Sequence, residues 1–275
     1  MKIKKKYSFT NKRQIFKVLP TDSGKIVIEE RDIEKKQAYF NCLRIDSGKK
    51  IFKSLQLDEK FWIGIDTIHK DIIYFHKFVK PDLPQHNGII AFDINSEKTI
   101  WEDNNRNYLF IKDDVLYTYQ QGFEARSYST LNRLTGEILE ELDIGSESIN
   151  LLKEEVITKE DFSSYHFPVV YKINATGNPD AEIYFRNFTK ELIISGKIEY
   201  VQIKNLLLFN YHQIINGNML ANIFNAVDLS NGSCIFKETL NARTNAFAPD
   251  SFFVHDDLLF LLIERSKLGV YKIIQ

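Results

Sequence analysis

The chain has 275 residues, with 36 Lys and Arg against 37 Asp and Glu and a formal net charge of −1, so no summed field draws it towards nucleic acid or an acidic membrane. Phe (21) and Tyr (13) are frequent and helix-favouring Ala is scarce, a composition that suits half-buried strands in an all-β domain. The apolar stretch at 258–263 falls far short of the roughly 20 residues that cross a bilayer, and no apolar signal-peptide core follows the basic start, so a cytoplasmic location without membrane contact is expected.

In chain order, Lys2, Lys4, Lys5 and Lys6 open a short run, 3–9, and serve to protect an exposed strand edge. Units of similar plan follow. The first has a strand at 15–18, an apolar run at 25–29 headed by Gly24, and a hairpin at 38–52. The second has runs at 62–65 and 72–76 and a hairpin at 88–101. The third has 108–111, 115–119 and a hairpin at 127–139. A fourth, poorer unit is read from 149–152, 156–160 and 169–177. The fifth has 200–203, 206–210 and a hairpin at 222–236, where the helical spacing of 218–227 yields to the strand repeat. The sixth has 252–254 and 258–262 and stops at a third strand, 269–273. A short helical turn is also compatible with 188–193.

Gly48, Gly136, Gly177 and Gly232 supply the positive φ of tight hairpin corners, and Asp46, Asp93, Asn132 and Asp228 bond the backbone ahead of them. Four short strands in about 45 residues is the spacing of a propeller blade. The expected fold is therefore a single β-propeller over residues 1–275, with about six four-stranded blades (seven as the alternative) and the N-terminal strand completing the last. Cys42 and Cys234 match no metal or redox spacing and are read as reduced, buried thiols.

The hairpins at 93–101, with Asp93 and Trp101, and at 132–139, with Thr135 and Gly136, resemble blades of the quinoprotein-like and WD40-like propellers. The stretch PDLPQHNGIIAFD, 81–93, is similar to an uncharacterised bacterial family of unknown function. The Gly-His and Trp-Asp pairing of WD40 repeats is missing, and so is the adjacent cysteine pair of some quinone-dependent dehydrogenases. The resemblance therefore implies an architecture and no quinone or other cofactor.

The resemblance to propellers implies that the unlike loops 77–87, 120–126, 161–166 and 211–218 share one face, where recognition is expected. Candidate binding residues are His76, Asp82, His86, Tyr119, Gln120, Glu124, Arg126, Glu160, His166, Asn210 and His212. Two imidazoles and a carboxylate at His76, Asp82 and His86 have the chemistry to bind a metal or shuttle a proton, but their spacing matches no metal motif and no metal is assigned. Tyr119, Gln120, Glu124 and Arg126 combine an aromatic surface with donors and acceptors. With phosphate-loop, nucleophile-elbow and zinc-helix motifs all missing, the expected function is non-enzymatic binding of a protein or small-molecule ligand by a monomer. The alternative is a hydrolase or lyase assembled in a central channel from groups such as His76, Glu160 and His212.

Overall fold

The computed structural model describes residues 1–79, 83–159, 161–174 and 176–274. Strand β1 (Lys2–Thr10) is followed by three meanders: β2 (Gln14–Pro20), β3 (Lys25–Asp32), β4 (Gln37–Arg44) and β5 (Lys50–Leu55); β6 (Ile63–His69), β7 (Ile72–Phe78), β8 (His86–Asp93) and β9 (Lys98–Asp103); and β10 (Asn107–Lys112), β11 (Val115–Gln121), β12 (Arg126–Asn132) and β13 (Ile138–Leu142). Helix α1 (Ser146–Lys159), the short β14 (Tyr165–His166) and β15 (Val169–Val170), and α2 (Pro179–Glu191) come next. The chain ends with β16 (Ile194–Ile203), β17 (Leu206–Asn216), β18 (Met219–Asp228), β19 (Ser233–Thr244), β20 (Phe252–His255), β21 (Leu258–Ile263) and β22 (Lys267–Ile274). The fold is all-β with two short helices, and every strand pair is antiparallel.

The described residues form five sheets, not the six units expected from the repeat. The discrepancy is the fourth unit. Residues 149–152 and 156–159 lie in α1, and the 169–177 hairpin reduces to β15 and a turn ahead of α2. Ile149, Leu152 and Val156 have i, i+3, i+7 spacing, and they pack on Phe110, Tyr117, Tyr119 and Tyr128 rather than alternating across a pleat. Helix α2 carries an orthodox start: the Asn178 side chain accepts from the backbone N–H of Asp180 (2.8 Å) and Ala181 (3.3 Å), and Pro179 opens the first turn. Its Ala181 and Phe185 are buried against Phe209 and Tyr211 of β17.

Two compact units result, one of residues 14–161 and the other of residues 1–13 with 162–275. In the first unit, the second strands of the first two meanders are densely buried. Ile26, Val27 and Ile28 of β3 and Ile73, Tyr74 and Phe75 of β7 are fully covered, which is why these runs read as continuously apolar. Val27, Phe40, Ile63 and Phe75 belong to one core shared by the first two sheets, and Tyr74, Ile89, Leu116 and Leu131 to another shared by the second and third.

Corner chemistry follows the sequence. Asp93 accepts from the N–H of Asn95 (3.1 Å) and Ser96 (3.0 Å), and Asn132 from Leu134 (2.9 Å) and Thr135 (3.3 Å). Gly136, at φ +74°, lies against the Trp101 indole, whose Nε1 donates to the Arg133 carbonyl at 3.0 Å. The Trp and the Thr-Gly turn that suggested propeller blades thus form a single joint between neighbouring sheets. Aspartates in the β6–β7 and β10–β11 turns tie further corners: Lys25 and Asn95 reach Asp71 at 2.5 and 3.3 Å, and His69 and Arg133 reach Asp114 at 2.9 and 3.2 Å.

In the second unit, β1 pairs with β22 from Lys2↔Ile274 to Thr10↔Lys267, so the N-terminal strand completes the last sheet as expected. It is an edge strand, and Lys2, Lys4, Lys5 and Lys6 are exposed along it. Residues 219–228 form strand β18, also as expected. Cys42 is buried, its thiol pushed up to about 12 by burial. Cys234 is instead exposed, correcting the expectation that both thiols are covered. Among the described residues no helix is long and apolar enough to cross a membrane.

Candidate functional site

The second sheet gathers three polar side chains beside two breaks in its register. Pairing of β6 with β7 skips between Ile65 and Thr67, leaving Asp66 as the extra residue, and pairing of β7 with β8 skips between Phe75 and Lys77, at His76. His86, the first residue of β8, lies opposite Phe78.

His76 Nδ1 lies 2.8 Å and His86 Nδ1 2.9 Å from the same Asp66 oxygen, Oδ1. A carboxylate only accepts, so both imidazoles carry their proton on Nδ1. The two rings stack with centroids 3.4 Å apart and planes within 7°, and the Phe78 ring stands edge-on to both, at 4.7 Å from His76 and 5.5 Å from His86. Gly64 makes the arrangement possible: a Cβ there would lie 2.8 Å from His76 Nε2.

Burial is graded. The side chains of His76 and Asp66 are 3 and 6 % exposed, whereas that of His86 is 42 % exposed. Asp66 Oδ2 and His76 Nε2 are buried with no hydrogen-bond partner. Burial disfavours an ionised Asp66, but the hydrogen bonds from His76 and His86 more than reverse this and hold its carboxyl below the ordinary value. Burial also holds the His76 imidazole below its ordinary value, against the pull of Asp66, so the resting cluster is a carboxylate with a neutral His76.

On the neighbouring sheet, Lys17 donates from Nζ to the Ile65 carbonyl at 2.8 Å, and Arg31 donates to the carbonyls of Phe61 and Ile63. Arg31 also bonds the buried Glu29 (Nε to Oε1, 2.8 Å) and packs over the rings of Phe16 and Phe61. Two cations thus brace the backbone on either side of Gly64.

The other predicted residues are distributed differently. Arg126 lies over the Tyr119 ring at 4.5 Å and donates to Gln121 Oε1 at 3.0 Å, while Gln120, Glu124 and the neighbouring Phe123 are exposed at the β11–β12 tip. Asn210 donates from Nδ2 to Asn222 Oδ1 (3.0 Å), and Asn222 donates to Ser251 Oγ (2.9 Å). His212 Nε2 accepts from the backbone N–H of Ala248 at 3.1 Å. Asn210 and His212 are therefore buried braces, and 211–218 is an extended hairpin of β17 and β18 rather than an open loop. His166 sits half-buried on β14, opposite Val254. Asp82 and Glu160 lie outside the described residues. Asp66 and Gly64 were not singled out by sequence, although an aspartate and a glycine inside the apolar run 62–68 were the available signal.

Burial also holds His212 below its ordinary value of 6.5. With His76 depressed in the same way, the unfolded chain takes up protons first on acidification. Stability present above about pH 6.5 is thus lost as the pH falls towards the folded-state values of these two groups. Thermal melting from about pH 8 to about pH 5 is expected to show a falling midpoint, less steep in His212→Asn. Identical pH profiles for the two proteins would contradict this assignment.

The elements and site thus define an all-β chain of antiparallel meanders carrying an Asp-His-His cluster on its second sheet. A family described as a domain of unknown function, DUF4905, matches residues 19–101, a span that includes the whole cluster. No curated protein matches the chain. Among solved structures, it resembles a europium-containing methanol dehydrogenase (11% identity, TM-score 0.34, 96% of this chain and 52% of that one). It also resembles the uncharacterized protein lmo1340 from Listeria monocytogenes EGD-e (13% identity, TM-score 0.36, 92% and 76%) and Pyrococcus horikoshii acylaminoacyl peptidase (9% identity, TM-score 0.35, 92% and 36%). The chain spans about half the length of the methanol dehydrogenase.

Proposed function

We propose that this chain is a cytoplasmic, monomeric binding protein on a single β-propeller-type scaffold, and that the Asp66–His76–His86 cluster is its binding centre. The observation that carries the reading is one buried carboxylate collecting two stacked imidazoles, of which only His86 is open to solvent. Elsewhere, His212 Nε2 is already engaged by the backbone N–H of Ala248, and Asn210 Nδ2 by Asn222. The Tyr119–Arg126 pair and the exposed Phe123 provide a separate accessory surface on the third sheet. Of the two imidazoles, His76 is the one unsuited to act as a general base, because its Nε2 is buried against Gly64.

The test is a thermal-shift panel of small carboxylates, phosphates and divalent cations on the wild-type chain and His86→Ala. A ligand at 100 times its Kd stabilises by about 2.7 kcal/mol, so a clear rise in melting temperature is expected for wild type and not for the variant. A panel without any His86-dependent shift would contradict the binding centre. Turnover of ester or phosphoester substrates that is lost in His86→Ala would instead make the chain a hydrolase.

A further inference from the structure

We infer that the Asp66–His76–His86 cluster binds one divalent transition-metal ion of the zinc class. The inference rests on the proposed reading of this cluster as the binding centre and adds the chemical class of its ligand. Asp66, His76 and His86 each offer one ligand atom, and the three atoms lie within 4.8 Å of one another. Among the described residues this is the only such grouping of His, Cys, Asp and Glu side chains.

The donor types select the metal. Two imidazole nitrogens with one carboxylate oxygen suit Zn²⁺, Co²⁺ or Ni²⁺, whereas Mg²⁺ and Ca²⁺ prefer sites built from oxygen alone. Three protein ligands leave a fourth position for water or an exogenous group, the composition of an open rather than a structural site.

The supporting shell is rigid where rigidity matters. Asp66 and His76 stand at register breaks within paired strands, His76 is hemmed in by Gly64 and Phe78, and the backbone on either side of Gly64 is braced by Arg31 at Ile63 and Lys17 at Ile65. Asp66 Oδ2, buried and without a hydrogen-bond partner, is the second and independent sign of a missing electropositive neighbour.

One movement is required. The stacked rings are nearly parallel, so a single ion cannot lie in the plane of both while bonded to both Nδ1 atoms. His86 must tilt out of the stack, and it is the solvent-exposed ligand, at the first position of β8. His76 and Asp66 thus form the fixed half of the site, and His86 is the ligand that closes on the ion.

The experiment uses the full chain, stripped with EDTA and titrated with Co²⁺ and Zn²⁺ by calorimetry and by the visible absorption of bound Co²⁺. One ion per chain is expected, with Co²⁺ displaced by Zn²⁺ and not by Mg²⁺. Asp66→Asn and His86→Ala should each weaken binding by at least about tenfold, while His166→Ala leaves it unchanged. His86→Ala alters a partly exposed side chain, and circular dichroism on the variant checks that its fold is retained. The inference is overturned by the absence of saturable binding, or by equal affinity in wild type and His86→Ala. If metals fail to bind but a non-metal ligand from the thermal-shift panel depends on His86, the metal assignment falls and the binding centre stands. If neither binds, both fall.

Discussion

Gly64→Ala is expected to disrupt the Asp66–His76–His86 cluster and to cost about 1–3 kcal/mol, the usual range for forcing an extra methyl group into a packed region. The added Cβ would fall 2.8 Å from His76 Nε2, 3.0 Å from His76 Cε1 and 3.5 Å from Phe78 Cε2. Neither ring has an easy retreat. His76 is 2 % exposed, with Phe78 edge-on to it and His86 stacked on one face. Chemical denaturation measures the stability loss, and any ligand found to require His86 should lose affinity in the same variant. A Gly64→Ala protein with unchanged stability and unchanged binding would show that His76 is not seated against this backbone.

Trp101→Ala is expected to have the larger effect on stability, about 3 kcal/mol or more. The indole packs with the shared core of the second and third sheets, and its Nε1 is the donor to the Arg133 carbonyl. Gly136→Ala attacks the same joint from the other side, since its Cβ would lie 2.8 Å from indole atoms Cδ2 and Cε3 at a backbone φ of +74°. The two substitutions should therefore be non-additive. With Trp101 already truncated the clash is gone, and Gly136→Ala should cost only the backbone strain of about 1 kcal/mol. Strict additivity in the double-mutant cycle would contradict the joint.

This joint also explains which parts of the fold were legible in the sequence. Hairpin corners announce themselves because few residues satisfy them: Gly48, Gly136 and Gly232 all adopt positive φ, and Asp93, Asn132 and Asp228 bond the backbone ahead. The pairing of β1 with β22 was legible for a related reason, because the last unit lacked a fourth strand and the first residues alternated as one. The runs 149–152 and 156–159 were misread because the repeat was extended through them. Ile149, Leu152 and Val156 carried helical spacing, and Asn178–Pro179 carried a helix start, but short apolar runs fit either period when judged one at a time.

The cluster was half legible for a different physical reason. His76 and His86 flank a loop and drew attention as paired imidazoles, and Asp82 between them seemed the natural carboxylate. Asp66 is ten residues before His76 and reaches it from the neighbouring strand of the β6–β7 hairpin, two residues beyond the Gly64↔His76 pair. A cross-strand neighbour depends on pairing register, which composition does not reveal. The same holds for His212 and Asn210. Their polarity marked them as candidates, and only their partners Ala248 and Asn222 reveal them as braces.

The most direct test of the binding centre is long-range ¹H–¹⁵N NMR of the six histidine side chains, first metal-free and then with one equivalent of Zn²⁺. In the metal-free protein His76 and His86 should both carry a proton on Nδ1, since both face Asp66 Oδ1, and His76 should be neutral. Zinc should then shift the Nδ1 resonances of these two residues together and leave His166 and His212 in place. An Nε2-protonated His76 in the free protein, or a zinc titration that leaves both rings unmoved, would contradict the account.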